Sequence, residues 1–193
     1  MSGLKDYSGE YRPDAKFEDF SVDALAKLLR NYQRIFVGLM GMWNTVNRER
    51  LGVDGARDLD SIVYEKQLKQ FEIPLVQEAM NLYGDDVVTM LKYFQMCPDG
   101  AREGLFKFDF DIKNKNHAIG TCTYCASLFY LEKRKDDKGI EALCGPGGVE
   151  DRAFTAICKY FNPNMTCRAL ALPPRKSKDA ICCVWEFKVE PKT

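Results

Sequence analysis

The residues best suited to chemistry in this chain are its eight cysteines, Cys97, Cys122, Cys125, Cys144, Cys158, Cys167, Cys182 and Cys183. Cys122 and Cys125 form a CxxC at the start of a segment that reads as a helix. Unpaired N–H groups and the helix dipole favour a thiolate there, and the spacing suits a metal chelate or a redox pair. Small apolar thiols on one core face would give the same pattern. Cys144 precedes Gly145-Pro146-Gly147-Gly148 and a further helical segment. A glycine-rich loop lets backbone N–H groups approach an anion, so Cys144 is a candidate nucleophile or ligand, the alternative being a plain turn. Cys182 and Cys183 are neighbours in a strand pattern and point to opposite faces. Cys183 shares its face with Ile181, Trp185 and Phe187, a core face. Cys182 shares its face with Val184, Glu186 and Lys188. Cys122, Cys125, Cys144, Cys167 and Cys182 are therefore the thiols expected to meet in one pocket, with Cys158 and Cys183 packed apart from it. Cys97, beside Pro98, reads as a turn residue.

His117 is the single histidine. This excludes zinc sites built on two or three histidines. His117 and Glu186 remain as proton carriers for a thiol, or His117 as a structural residue. Met40, Trp43 and Asn47 share one face of a helix. A buried Asn must find a partner, so Trp43 and Asn47 either line a ligand pocket or form a helix edge.

The elements that must position these groups follow from periodicity. Residues 1–20 read as an arm rich in turn-forming and charged residues. Ser21 or Asp23 caps a helix running to about Leu51, with apolar residues at spacings of three and four and Gly52 as its stop. Asp58 opens a second helix that Pro74 should break or kink. Asp85-Asp86 opens another, ending at Cys97-Pro98-Asp99-Gly100. The period then changes: Phe106, Phe108, Phe110 and Ile112 alternate with charged residues as a half-buried strand, and His117 to Thr121 returns. Cys122 to Arg134 and Val149 to Phe161 read as helices. Met165 to Leu172 and Ala180 to Val189 form a hairpin with a long loop. The predicted class is α+β, a helical N-terminal half packed on an antiparallel sheet that carries helices in the C-terminal half. Boundaries fall at an arm over 1–20, a helical subdomain over 21–100 and a cysteine-rich subdomain over 101–193, all in one compact unit.

Charge excludes some partners. Twenty-eight basic and twenty-eight acidic residues cancel, so nothing draws the chain to nucleic acid or to an anionic membrane. No apolar run is long enough to span a bilayer, and the first twelve residues lack the pattern of a signal peptide. A cytoplasmic protein with reduced thiols is expected.

The sequence resembles a family of small cytosolic proteins allied to L-2-amino-thiazoline-4-carboxylic acid hydrolases. The resemblance rests on Gly41-Met42-Trp43 with Glu49-Arg50-Leu51-Gly52, Thr121-Cys122, Leu143-Cys144, Phe161-Asn162-Pro163, Cys167, Pro173-Pro174 and Cys182-Cys183-Val184-Trp185-Glu186-Phe187. The order of cysteines and elements is also similar to 4-vinyl-reductase-type ligand domains. The resemblance implies an enzyme acting on a small molecule. Combined with the cysteine pattern, it points to a thiol-dependent or metal-assisted hydrolase of a C–N or C–S bond, with Cys144 or Cys122 as nucleophile and His117 or Glu186 as proton carrier. The alternative is a non-catalytic module in which the thiols hold zinc or an iron–sulfur centre, or the fold holds a small ligand.

Overall fold

The computed structural model describes residues 3–100 and 105–191. The boundary expected after residue 100 is followed by residues 101–104, which lie outside the described residues, as do residues 1 and 2 of the arm.

Helix α1 spans Val22–Gln67, and the Ser21 hydroxyl caps it by accepting from the Ala24 N–H. Its first segment ends where glycine predicts, because Gly52 has φ of 73°, a left-handed conformation that other residues adopt at a cost. The chain folds back at this point. Asp60 on the second segment accepts hydrogen bonds from the Asn44 amide at 2.6 Å and the Asn47 amide at 2.9 Å on the first.

Pro74 does not break the helix that follows. A π-helical turn over Leu68–Glu72 absorbs the irregularity, and α2 (Ile73–Met80) begins with the proline in its first turn, where no N–H is required. Asn81, left-handed at φ of 53°, ends α2. Helix α3 (Val87–Met96) is capped by the Asp86 carboxylate.

Strands β1 (Phe106–Asn114) and β2 (His117–Cys125) form a hairpin. The helix expected from Cys122 starts only at Ala126. Thr121, Cys122 and Tyr124 stay extended because β1 pairs along β2 as far as Cys125, and β4 pairs with it as far as Cys122. Three helices follow, α4 (Ala126–Lys133), α5 (Asp137–Cys144) and α6 (Val149–Phe161). Strands β3 (Met165–Ala171) and β4 (Cys183–Val189) complete a four-stranded antiparallel sheet of order β1-β2-β4-β3. The architecture is α+β.

One face of the sheet carries the core. Trp185, Phe187, Ala118 and Cys122 point to the helices and are almost wholly buried. Phe154 of α6 meets Trp185 edge-on with ring centroids 4.9 Å apart. Burial of each such side chain contributes roughly 1.5–3 kcal/mol. The other face carries His117, Thr121, Glu186 and Lys188, all half-buried. No helix among the described residues is long and apolar enough to cross a membrane.

Candidate functional site

Two cavities flank Phe106, Phe108, Glu150 and Phe154, which line both. The smaller is about 20 Å³, room for one water-sized guest. The larger is about 1000 Å³ and lies between α1 and the body formed by α3, α6 and the sheet.

The small cavity gathers thiols. Cys122, Cys125, Cys144 and Cys182 line it, as the cysteine pattern anticipated. Cys183 lines it too, although alternation along a strand had set it apart. The reason is that β4 begins only at Cys183, so Cys182 lies before the pleat, tied by its N–H to the Cys122 carbonyl at 2.7 Å. Cys167 lies elsewhere, 3.5 Å from the Thr155 hydroxyl, and Cys158 is in the core against Met90.

All of the small cavity's thiols except Cys183 are raised and hold their protons. Burial pushes the Cys125 and Cys144 thiols well above a free cysteine. Cys122, whose thiol donates to the Tyr124 carbonyl at 3.1 Å, is raised by its contact with Cys183 and by burial, while Cys183, which also receives the Trp185 indole N–H at 3.3 Å, is lowered. Cys122 lies within a strand and Cys144 ends α5, so neither occupies a helix N-terminus. Cys125 does cap α4, its sulfur accepting from the Leu128 N–H, yet burial outweighs that contact. Among the described residues no three of these sulfurs lie within 4.8 Å of one another. A tetrahedral zinc–thiolate set needs separations of about 3.8 Å.

His117 and Glu186 do come together, at 3.1 Å, but on the opposite face of the sheet from the thiols. Glu186 also takes a two-pronged contact from Arg168 at 2.8 and 3.1 Å, which lowers its pKa and holds it ionised. Asn47 is buried and spends its amide on Asp60, whereas Trp43 is 44% exposed, and neither lines a cavity.

The large cavity holds a cluster that the sequence reading passed over. Glu72, Cys97 and Asp99 line it, and their ligand atoms lie within 4.8 Å of one another. Every oxygen of the two carboxylates has a donor. Glu72 accepts from the Tyr93 hydroxyl on Oε1 and from the Gln67 amide on Oε2 at 3.0 Å. Asp99 accepts from the Cys97 thiol on Oδ1 at 3.0 Å and from the Tyr64 hydroxyl on Oδ2 at 3.1 Å. A divalent cation fits the spacing but would have to displace these donors, so the set reads as a proton network.

Its electrostatics are unusual. Burial and the neighbouring Asp99 push the Glu72 carboxyl up to about 7, against the opposing bonds from Tyr93 and Gln67. Glu150 on the shared wall is pushed up to about 8 by burial and by Asp99 and Cys183. None of the ion pairs among the described residues involves Glu72, Asp99 or Glu150. Burial likewise raises Tyr64, Tyr93 and Cys97 well above their ordinary values. One signal in the sequence could have found the site: Glu72 is a lone carboxylate in the apolar run Phe71-Glu72-Ile73-Pro74-Leu75-Val76.

No family model, curated protein or solved structure matches this chain.

Proposed function

We propose that the protein is a small-molecule enzyme whose reaction, most simply hydrolysis of a C–N or C–S bond, takes place in the large cavity with Glu72 as the proton carrier. The observation that supports this is a buried carboxyl with a pKa of about 7 on the wall of that cavity. A group titrating near neutrality is best able both to accept and to return a proton. As a carboxylate, Glu72 takes a proton from a water whose oxygen attacks the carbon of the scissile bond. That proton then passes to the departing nitrogen or sulfur, leaving Glu72 ionised for the next turnover. Phe106, Phe108 and Phe154 suit the apolar body of a substrate. The Asp99 carboxylate, which enters none of the ion pairs among the described residues, suits one bearing a protonatable nitrogen.

The test is a screen of small linear and cyclic amides, amidines and thioethers for hydrolysis, followed by the rate–pH profile of any substrate found. The rate of the native protein should rise with ionisation of a group near pH 7. Glu72→Gln, which cannot carry the proton, should lose at least about 10²-fold. Turnover that survives in this variant sinks the assignment.

A second reading, a module in which thiols hold zinc or an iron–sulfur centre, is favoured by the convergence of Cys122, Cys125, Cys144, Cys182 and Cys183 on one small cavity. It requires the sulfurs to draw together on metal binding. Elemental analysis and the visible spectrum of anaerobically purified protein decide it, and metal-free protein of full stability excludes it.

A further inference from the structure

Of the thiols that line the small cavity, two stand opposite each other in the sheet. Cys122 of β2 and Cys183 of β4 are register partners in adjacent antiparallel strands, and their sulfurs are in contact. Side chains so placed leave the sheet on the same face. Opposed Cα atoms lie about 4.5 or 5.5 Å apart, and both separations fall inside the roughly 4.4–6.8 Å that a disulfide spans. The pairing ends here, since β4 begins with Cys183 and the Cys122 carbonyl accepts from the Cys182 N–H. The other thiols of the cavity are engaged elsewhere. The Cys125 sulfur accepts from the Leu128 N–H at 3.4 Å, the Cys182 sulfur lies 4.0 Å from the Arg175 guanidinium, and Cys144 is carried by α5.

We propose that Cys122 and Cys183 are a dithiol that hydrogen peroxide converts to a disulfide, with Cys183 attacking the peroxide and Cys122 closing the bridge. The neighbours of each sulfur assign the two roles. The Trp185 indole N–H, 3.3 Å from the Cys183 sulfur, favours a thiolate there, whereas the Cys122 thiol donates its proton to the Tyr124 carbonyl at 3.1 Å. Cys183 is half-buried, not sealed in. The cavity sets the size of the oxidant. Its volume of about 20 Å³ exceeds the roughly 10–15 Å³ that one water needs and admits a molecule of two oxygen atoms, not an organic hydroperoxide.

In the first step the Cys183 sulfur bonds to one peroxide oxygen as the O–O bond breaks. The sulfur is oxidised to a sulfenic acid. The other oxygen leaves as hydroxide and becomes water with the proton that Cys183 gave up. The Cys122 sulfur then attacks the sulfenic sulfur. The S–S bond forms, the S–O bond breaks, and the hydroxide leaves with the Cys122 proton as a second water. The bridge ties β2 to the start of β4 and so fixes the point at which the loop after β3 enters the sheet. Neither Glu72 nor the large cavity takes part, so the bridge stands or falls apart from any turnover there.

Peptide mapping of the full chain tests the pair. Reduced protein is treated with hydrogen peroxide, unfolded in an alkylating reagent without reductant, digested and fragmented. Cys122 and Cys183 should lose their free thiols together, two of the eight, and appear joined. Dithiothreitol should restore both. Cumene hydroperoxide, too large for the cavity, should leave this bridge unformed. Cys125→Ala and Cys182→Ala should bridge as the native chain does. Cys122→Ala should stop at the Cys183 sulfenic acid, trapped by unfolding the oxidised variant in dimedone. Two free thiols remaining at Cys122 and Cys183 after peroxide treatment overturn the proposal. So does a bridge that joins any other pair, Cys158 to Cys167 included, or one that cumene hydroperoxide forms equally fast. If Cys122→Ala does not fold, the map of the native chain decides alone.

Discussion

A cysteine's reactivity depends on whether its thiolate is stabilised, and in this chain burial decides that against most of the candidates. Cys144 is a thiol just ahead of a glycine-rich loop, yet it is buried against a small, mostly apolar cavity and keeps its proton. Cys167 differs. It is half-buried and lowered by hydrogen bonds from Cys158 and Thr155. Alkylation at neutral pH, followed by peptide mass spectrometry, should therefore modify Cys167 first and leave Cys144 protected. Fast labelling at Cys144 would restore it as a nucleophile. The sequence shows which residues are thiols and, through element order, that Cys122, Cys125, Cys144 and Cys182 converge. It does not show their ionisation, which depends on donors such as Trp185 and on the depth of packing, both properties of the assembled sheet. For the same reason Glu72 shows in the sequence only as a lone carboxylate in an apolar run: its partners Tyr93 and Asp99 come from a different helix and the turn after it.

At the scale of elements, the fold-back at Gly52 is the join that positions α1 over the large cavity. The glycine and the helix before it were legible because a left-handed stop and a period of 3.6 are local properties. The role of Asn47 was half legible. Its place on an apolar face showed that it needed a partner, but Asp60 lies thirteen residues on and across the bend. Asn47→Ala should leave one oxygen of a buried carboxylate unpaired and cost about 1–3 kcal/mol in denaturant unfolding. A loss below about 0.5 kcal/mol would mean that water replaces the amide and that the join is not held there. The start of α4 was misread because CxxC followed by Ala and Ser suits a helix as well as a strand end. Pairing of Cys122 and Thr121 with β4 chose the strand. Pro74 was expected to break or kink its helix; the chain stays helical through it, with the irregularity taken up by the π-helical turn just before it.

For the whole molecule, the buried carboxyls set how stability depends on pH. Glu72 and Glu150 have native pKa values raised to about 7 and about 8, above those of an unfolded chain. The native state therefore binds protons that the unfolded state has released. Stability attributable to these groups is fully present below about pH 4.3 and declines as pH rises through their native values. Asp136 and Glu186 work the other way. Asp136 is held low by the Arg48 guanidinium and the Gly139 N–H, and Glu186 by Arg168 and His117. Their contributions are present above the unfolded carboxylate range and are lost on acidification. The two opposing trends cross near the unfolded carboxylate range, so maximal stability falls at about pH 4–5 and declines from there toward neutrality. The raised thiols do not alter this, since they remain protonated throughout. Denaturant unfolding at pH 5.5 and pH 8.5 should show the lower stability at pH 8.5. Glu72→Gln should narrow that difference by about 2 kcal/mol, because its gain at pH 8.5 exceeds its gain at pH 5.5 by that amount. The Tyr93 hydroxyl can still donate to the new carbonyl. The new amide can donate to the Gln67 Oε1, which is buried without a partner among the described residues, once the Gln67 amide turns over. If the native protein is as stable at pH 8.5 as at pH 5.5, Glu72 is not held protonated near neutrality. The acid–base role proposed for it then fails along with the stability profile.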